Sequence, residues 1–223
     1  MSSIFSVLSE HFLPFLKATG VTLQLTSVSL VLAVVIGLVM ALFKLSRSRI
    51  LNGIARTYIA IVRGLPLIVQ LMFLYFGIVK LVALSSFWAG SLALAIHAGA
   101  YVAEIFRGTI ESIDAGQTEA ARSLGMNARQ TMLLVILPQA FRRAVPPLGN
   151  QFIIGLKDSS LVAYLGVNEL FGAALSAQAE NFMPFETYLV AGLYYLILVL
   201  IFSWLVRLLE NRLRQGSREV AVA

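Results

Sequence analysis

Long apolar stretches alternate with short polar segments along nearly the whole chain. Five of these stretches, at residues 19–43, 58–82, 87–106, 147–165 and 188–206, approach the length of about 20 residues that a hydrocarbon core of about 30 Å requires. Residues 1–17 are mixed and amphipathic, with Pro14 near their end, and read as an interfacial helix rather than a span. No basic stretch and no small-residue cleavage site precede the first span, so no removable signal peptide is expected. The polar segment GQTEAARSLGMNARQTMLLVILPQ, residues 116–139, breaks this rhythm. Glu119, Ala120 and Ala121 favour helix, Gly125 is suited to end it, and Asn127 with Gln130 fits a capping box for the next helix. Two short helices joined at a bend are predicted on one side of a membrane.

Composition agrees. Hydrophobic residues are 59% of 223 and charged residues 13%, about half the share usual in soluble domains, and the mean hydropathy is +0.86. The net charge of +6 invites a nucleic-acid reading, but the basic residues flank the apolar stretches instead of forming a patch interleaved with aromatics. No nucleic-acid partner is expected; the lipid bilayer is. Lys44, Arg47, Arg49 and Arg56 fall in the first connection, Arg107, Arg122, Arg129, Arg142 and Arg143 in the long one, and Arg207, Arg212, Arg214 and Arg218 in the tail. Residues 166–187 carry Glu169, Glu180 and Glu186 and no basic residue. The positive-inside rule then puts the N-terminus outside and the C-terminus in the cytoplasm.

Chemistry of its own is not legible in the chain. There is no cysteine, and no segment fits G-x-x-x-x-G-K-[ST]; GLKDSS at 155–160 lacks the first glycine and lies in an apolar stretch. His11 and His97 have no acidic neighbours at metal spacing, and no G-x-S-x-G or paired acids mark a catalytic site. Neither enzymatic activity nor a cofactor is expected in this chain.

Four segments in fixed order are similar to the permease subunits of bacterial polar amino-acid ABC importers. They are GVTLQLTSVSL from Gly20, YIAIVRGLPLIVQLMFLYFG from Tyr58, AYVAEIFRGTIESIDAGQTEAARSLGM from Ala100, and ILPQAFRRAVPPLGNQFIIGLKDSSL from Ile136. Residues 116–139 resemble the EAA loop of that family, which seats in a groove of the ATP-binding subunit. Ser159 departs from the family's more usual Thr but keeps a hydroxyl, and the connection 76–87 is short for the family. The resemblance implies an all-α polytopic membrane protein with five transmembrane helices plus short cytoplasmic coupling helices. It implies a single permease domain over 1–223, in the bacterial cytoplasmic (inner) membrane, with residues 107–146 as the coupling loop and 207–223 as a cytoplasmic tail. The implied partners are two ATP-binding subunits that bind ATP and Mg, a second permease, identical or homologous, and an extracytoplasmic substrate-binding protein. ATP binding and hydrolysis there would drive alternating access about a site near mid-membrane.

Charges inside apolar stretches cost at least about 2.5–3.5 kcal/mol at a helix centre, which singles out Lys157 and Asp158. One alternative is that each pairs with another helix and fixes packing. The other is that Asp158, Ser159 or both line the route and meet the cargo's ammonium group, with Lys157 holding Asp158's surroundings in register. Glu169 is either an exposed interfacial acid or an attractor of cationic groups at the outer mouth. Glu104 and Arg107 are spaced to pair on one helix, and Arg63 snorkels toward the cytoplasm. Pro66 opens a backbone carbonyl and makes Gln70 a route candidate, while His97 among small residues reads as an interhelical hydrogen-bonding group or a ligand. Glu119, near the start of its helix, favours it through the macrodipole and is available to a cation on the ATPase; Ala120, Ala121, Gly125, Leu137 and Pro138 complete the coupling set. An ion-coupled secondary transporter is the alternative function, and a non-transporting scaffold a weaker one; the inverted repeat typical of the former is not evident.

Overall fold

The computed structural model describes residues 2–78 and 84–222, with side chains over 4–77 and 84–213. All regular structure among them is helical: α1 (Ser2–Glu10), α2 (Phe12–Leu45), α3 (Arg49–Gly64), α4 (Leu67–Ile78), α5 (Ser86–Glu111), α6 (Ala115–Ser123), α7 (Ala128–Gln130), α8 (Leu137–Asp158), α9 (Leu170–Asn181) and α10 (Pro184–Val222). A π-helical stretch, Thr131–Ile136, joins α7 to α8, and α8 tightens into a 3₁₀ helix over Ser159–Leu165. Among the described residues three helices are long and apolar enough to cross a membrane: Phe12–Leu45, Ser86–Glu111 and Pro184–Leu213. Two bent pairs raise the number to as many as five.

The first bent pair, α3 and α4, turns through 110°, so residues 58–82 are not one continuous helix. The cause is local. Pro66 has no N–H to donate, and it pushes Leu65 into extended backbone at φ −105° and ψ 140°. Residues 79–82 of that stretch, and 79–83 of the connection 76–87, lie outside the described residues, as do the side chains of Arg214 and Arg218. The second pair bends by 51° between Ala128–Leu165 and Leu170–Asn181. Residues 166–187, expected as an outer loop, therefore contain α9, whose Leu170, Ala173, Ala174 and Ala177 pack against Val7, Phe15 and Val190. The N-terminal segment breaks at His11, not at Pro14, which sits in the first turn of α2.

α2 and α5 form the centre of the molecule. Their close approach depends on small residues, as in membrane helix packing generally. A Cβ on Gly37 would lie 2.5 Å from Val102 Cγ1 and 2.9 Å from the Ala103 backbone nitrogen. At one end of this pair Lys44 bridges to Glu104 across the helices, and Arg107 Nε meets Glu104 at 2.9 Å. The Asn52 side chain donates to the Lys44 carbonyl, tying in the start of α3. The Glu104–Arg107 pairing expected from spacing is present, enlarged by a lysine from another helix.

Candidate functional site

Polar side chains on the apolar helices gather in the middle of the bundle. Along α2, Thr22, Thr26 and Ser29 recur on one face, and their hydroxyls donate to the carbonyls of Ala18 (3.1 Å), Thr22 (2.8 Å) and Leu25 (2.7 Å). Gly155, whose absent side chain would sit 3.3 Å from Thr26, lets α8 close on that face. Thr26, Ser29, His97, Gln151, Gly155 and Asp158 all line a cavity of about 20 Å³. That is room for about one water molecule, so an amino acid enters only if the helices part. Thr26, Ser29 and Gln151 were not singled out by sequence; the hydroxyls at spacings of four and three in an otherwise apolar helix were the available signal.

Two candidates, Asp158 and His97, thus share one cavity. Gln70 joins them through His97, whose Nδ1 lies 3.3 Å from Gln70 Oε1. The Gln70 amide nitrogen donates to the carbonyls of Val62 and Leu65, both at 2.8 Å. These are carbonyls that the α3–α4 break leaves without helical partners, so Gln70 caps the break. Ser159 is fully buried and donates to the Leu156 carbonyl at 2.8 Å, and neither it nor the exposed Lys157 lines the cavity. Among the described residues Lys157 forms no ion pair.

Glu169 is neither an exposed interfacial acid nor a group at an outer mouth: it is 0% exposed. It caps α9 by accepting from the Gly172 N–H at 2.7 Å and accepts from Tyr195 Oη at 2.8 Å, and the single Thr22 hydroxyl proton is shared between the Ala18 carbonyl and Glu169, 3.4 Å from Thr22 Oγ1. Thr22 Oγ1 in turn accepts from the Leu170 N–H at 3.0 Å. Buried carboxylates persist where such donors replace water, and here the donors come from α2, α9 and α10.

The predicted bend at Gly125 is present at φ +82°. Gly125 N–H donates to the Arg122 carbonyl at 3.0 Å and Met126 N–H to the Ala121 carbonyl at 3.1 Å, the paired bonds of a Schellman termination. Asn127 and Gln130 complete the expected capping box. Two details differ from expectation. Asp114, accepting from Gly116 N–H, caps α6; Glu119 is the fifth helical residue, beyond the first turn where the macrodipole acts. The second helix is not short either, since α7 continues through the π stretch into α8. That stretch precedes Pro138, which has no N–H for the Leu134 carbonyl. Leu137 packs with Ile110, Ile113 and Ile136 and Ala121 is buried, whereas Leu124 and Leu134 stand 84% and 67% exposed. The bend therefore presents apolar surface outward, as binding surfaces do.

Comparison with known proteins matches residues 33–215 to the family described as binding-protein-dependent transport system inner membrane component. The chain is 37% identical over 208 residues to the arginine transport system permease protein ArtQ of Bacillus subtilis, covering 92% of this chain and 95% of that one. It is also 37% identical over 202 residues to the glutamine transport system permease protein GlnP of Escherichia coli, covering 89% and 92%. Among solved structures, an amino acid ABC transporter with histidines superposes with a TM-score of 0.84 at 39% identity, over 92% of this chain and 96% of that one. The inward-facing MetNI methionine ABC transporter shares the fold, with a TM-score of 0.78 at 21% identity over 91% and 97%.

Proposed function

The chain belongs to the family of binding-protein-dependent transport inner membrane components, and we propose that it forms the path by which a polar amino acid crosses the bacterial inner membrane. Relatives that transport arginine and glutamine match nine-tenths of the chain and support that class of cargo. The observation that carries the reading is the meeting of Asp158 and His97 on one small cavity between α2, α5 and α8. A carboxylate facing a cavity within apolar helices is an ammonium-binding group in waiting, and the hydroxyls and amide around it suit a zwitterion. The cavity holds one water rather than cargo, which fits a site that opens only when the bundle rocks in alternating access.

The power for that motion comes from two separate ATP-binding subunits. They seat on the bend formed by Glu119, Ala120, Ala121 and Gly125, with Leu137 and Pro138 anchoring its exit into α8. A second permease completes the path, and an extracytoplasmic binding protein delivers cargo. The basic connections face the cytoplasm, the N-terminus lies outside, and residues 1–223 act as one permease domain.

Asp158→Asn tests this reading, because it keeps shape and hydrogen-bonding capacity while removing the charge. In the complete transporter in liposomes, it is expected to assemble normally and to take up radiolabelled L-arginine or L-glutamine about tenfold more slowly. Failure to insert or to pair would assign Asp158 to packing, and unchanged uptake would remove it from the path.

A further inference from the structure

Arg63, like Lys157, is a strongly charged group near this cavity that no ion pair among the described residues explains. It is exposed, in the last turn of α3. Its neighbour Val62 packs on Ala100 and Ala103 of α5, and the Tyr58 hydroxyl donates to the Ile96 carbonyl at 2.6 Å. Arg63 is therefore held level with the inner part of a spanning helix, beyond the ion cluster at Lys44, Glu104 and Arg107. Its guanidinium carbon lies 5.2 Å from the centroid of the Tyr101 ring, so it is fixed over an aromatic face instead of extending freely toward water. Among the described residues no carboxylate pairs with it.

Ring contacts connect it to a residue of the cavity wall. The Tyr101 and His97 rings are 5.3 Å apart, and His97 lines the cavity together with Asp158. His97 also meets Gln70, which caps the carbonyl of Val62, the residue before Arg63. On the other side, Arg56 and Arg49 repeat at seven-residue intervals and are likewise exposed. Seven residues are nearly two turns of helix, so the three arginines share a face that runs from the last turn of α3 back to its start.

We propose that Arg63, held by Tyr101, is the station that receives the α-carboxylate of the cargo after it leaves the Asp158–His97 cavity. This rests on the reading of the chain as an amino-acid path. The two charges act in sequence: Asp158 engages the ammonium group, and Arg63 engages the carboxylate as the cargo moves toward the cytoplasm. Arginine suits the task because its planar fork matches a carboxylate with two parallel hydrogen bonds while its face remains stacked on a ring. Gly53 and Ala60 between the arginines, and Gly64 just after the last, are small, and a Cβ on either glycine would meet no atom within 4 Å.

The test uses the complete transporter, permease with its ATPase and receptor in liposomes, and radiolabelled L-glutamine and L-arginine as probes. Arg63→Gln is expected to lower maximal uptake about tenfold while receptor-stimulated ATP hydrolysis stays within about twofold of wild type. Arg63→Lys, which keeps the cation, is expected to recover most of the uptake. Wild-type uptake in Arg63→Gln would overturn the proposal. So would loss of the second permease or of the ATPase from purified Arg63→Gln, since the charge would then be holding an interface. Asp158→Asn measured in parallel separates the two levels: reduced uptake there with normal uptake in Arg63→Gln sinks only the Arg63 station. Absence of uptake of both probes by the wild type sinks the path itself.

Discussion

Gly125→Val is the sharpest perturbation of the bend between α6 and α7. Gly125 sits at φ +82°, and a Cβ placed there would meet no atom within 4 Å. The cost of a side chain is therefore one of backbone alone. Left-handed backbone costs an ordinary L-residue about 1–2 kcal/mol, more for a branched one. If the turn opens to escape that strain, the bonds from Gly125 to Arg122 and from Met126 to Ala121 are lost, at about 1 kcal/mol each. Either way the docking-competent bend is disfavoured by about 1–2 kcal/mol, roughly a tenfold fall in its population at 1.4 kcal/mol. ATPase copurified per permease, titrated at several concentrations, and receptor-stimulated hydrolysis in liposomes both read this out. Gly125→Val should weaken attachment about tenfold with the spans still inserted, and Gly125→Asn, which tolerates this conformation, should stay close to wild type. Equal behaviour of valine and asparagine would refute the reasoning, and wild-type coupling in both Gly125→Val and Glu119→Lys would make the bend only a connection.

Two further outcomes follow from the same structure. Glu169→Ala should lower the thermal stability of the purified permease by about 2–4 kcal/mol, because the Tyr195 hydroxyl and the Gly172 N–H lose a buried acceptor; Glu169→Gln should lose much less. A reporter fused after Ala223 should be active only in its cytoplasmic format, and periplasmic activity would invert the orientation and move the Glu119 bend to the wrong face.

The spans and the bend were legible because their signals are local. Apolar length marks α2, α5 and α10, and Asn127 with Gln130 marks a helix start within four residues, whereas Pro66 was read only as opening a carbonyl within one span. What the chain concealed depends on partners far apart in sequence. Glu169 reads as a loop acid until Thr22, 147 residues away, and Tyr195 are placed beside it. The helix after it was within reach: LFGAALSAQAEN is rich in alanine and leucine, but its place after a span suggested a loop. The 110° turn at Pro66 was not readable either. A proline announces a break, whereas the angle is set by how α3 packs on α2 and α5 and by Gln70 closing the carbonyls behind it. Asp158 and His97 were each visible as polar groups in apolar stretches, but only the fold puts them on one cavity.

The most direct measurement is amino-acid accumulation by the reconstituted transporter under defined energy sources. Radiolabelled L-glutamine or L-arginine should accumulate only when ATP, the ATP-binding subunits and the loaded receptor are all present, and should continue when ionophores collapse every ion gradient. Accumulation by the permease alone, driven by an ion gradient and indifferent to ATP, would contradict that and make this chain a secondary transporter.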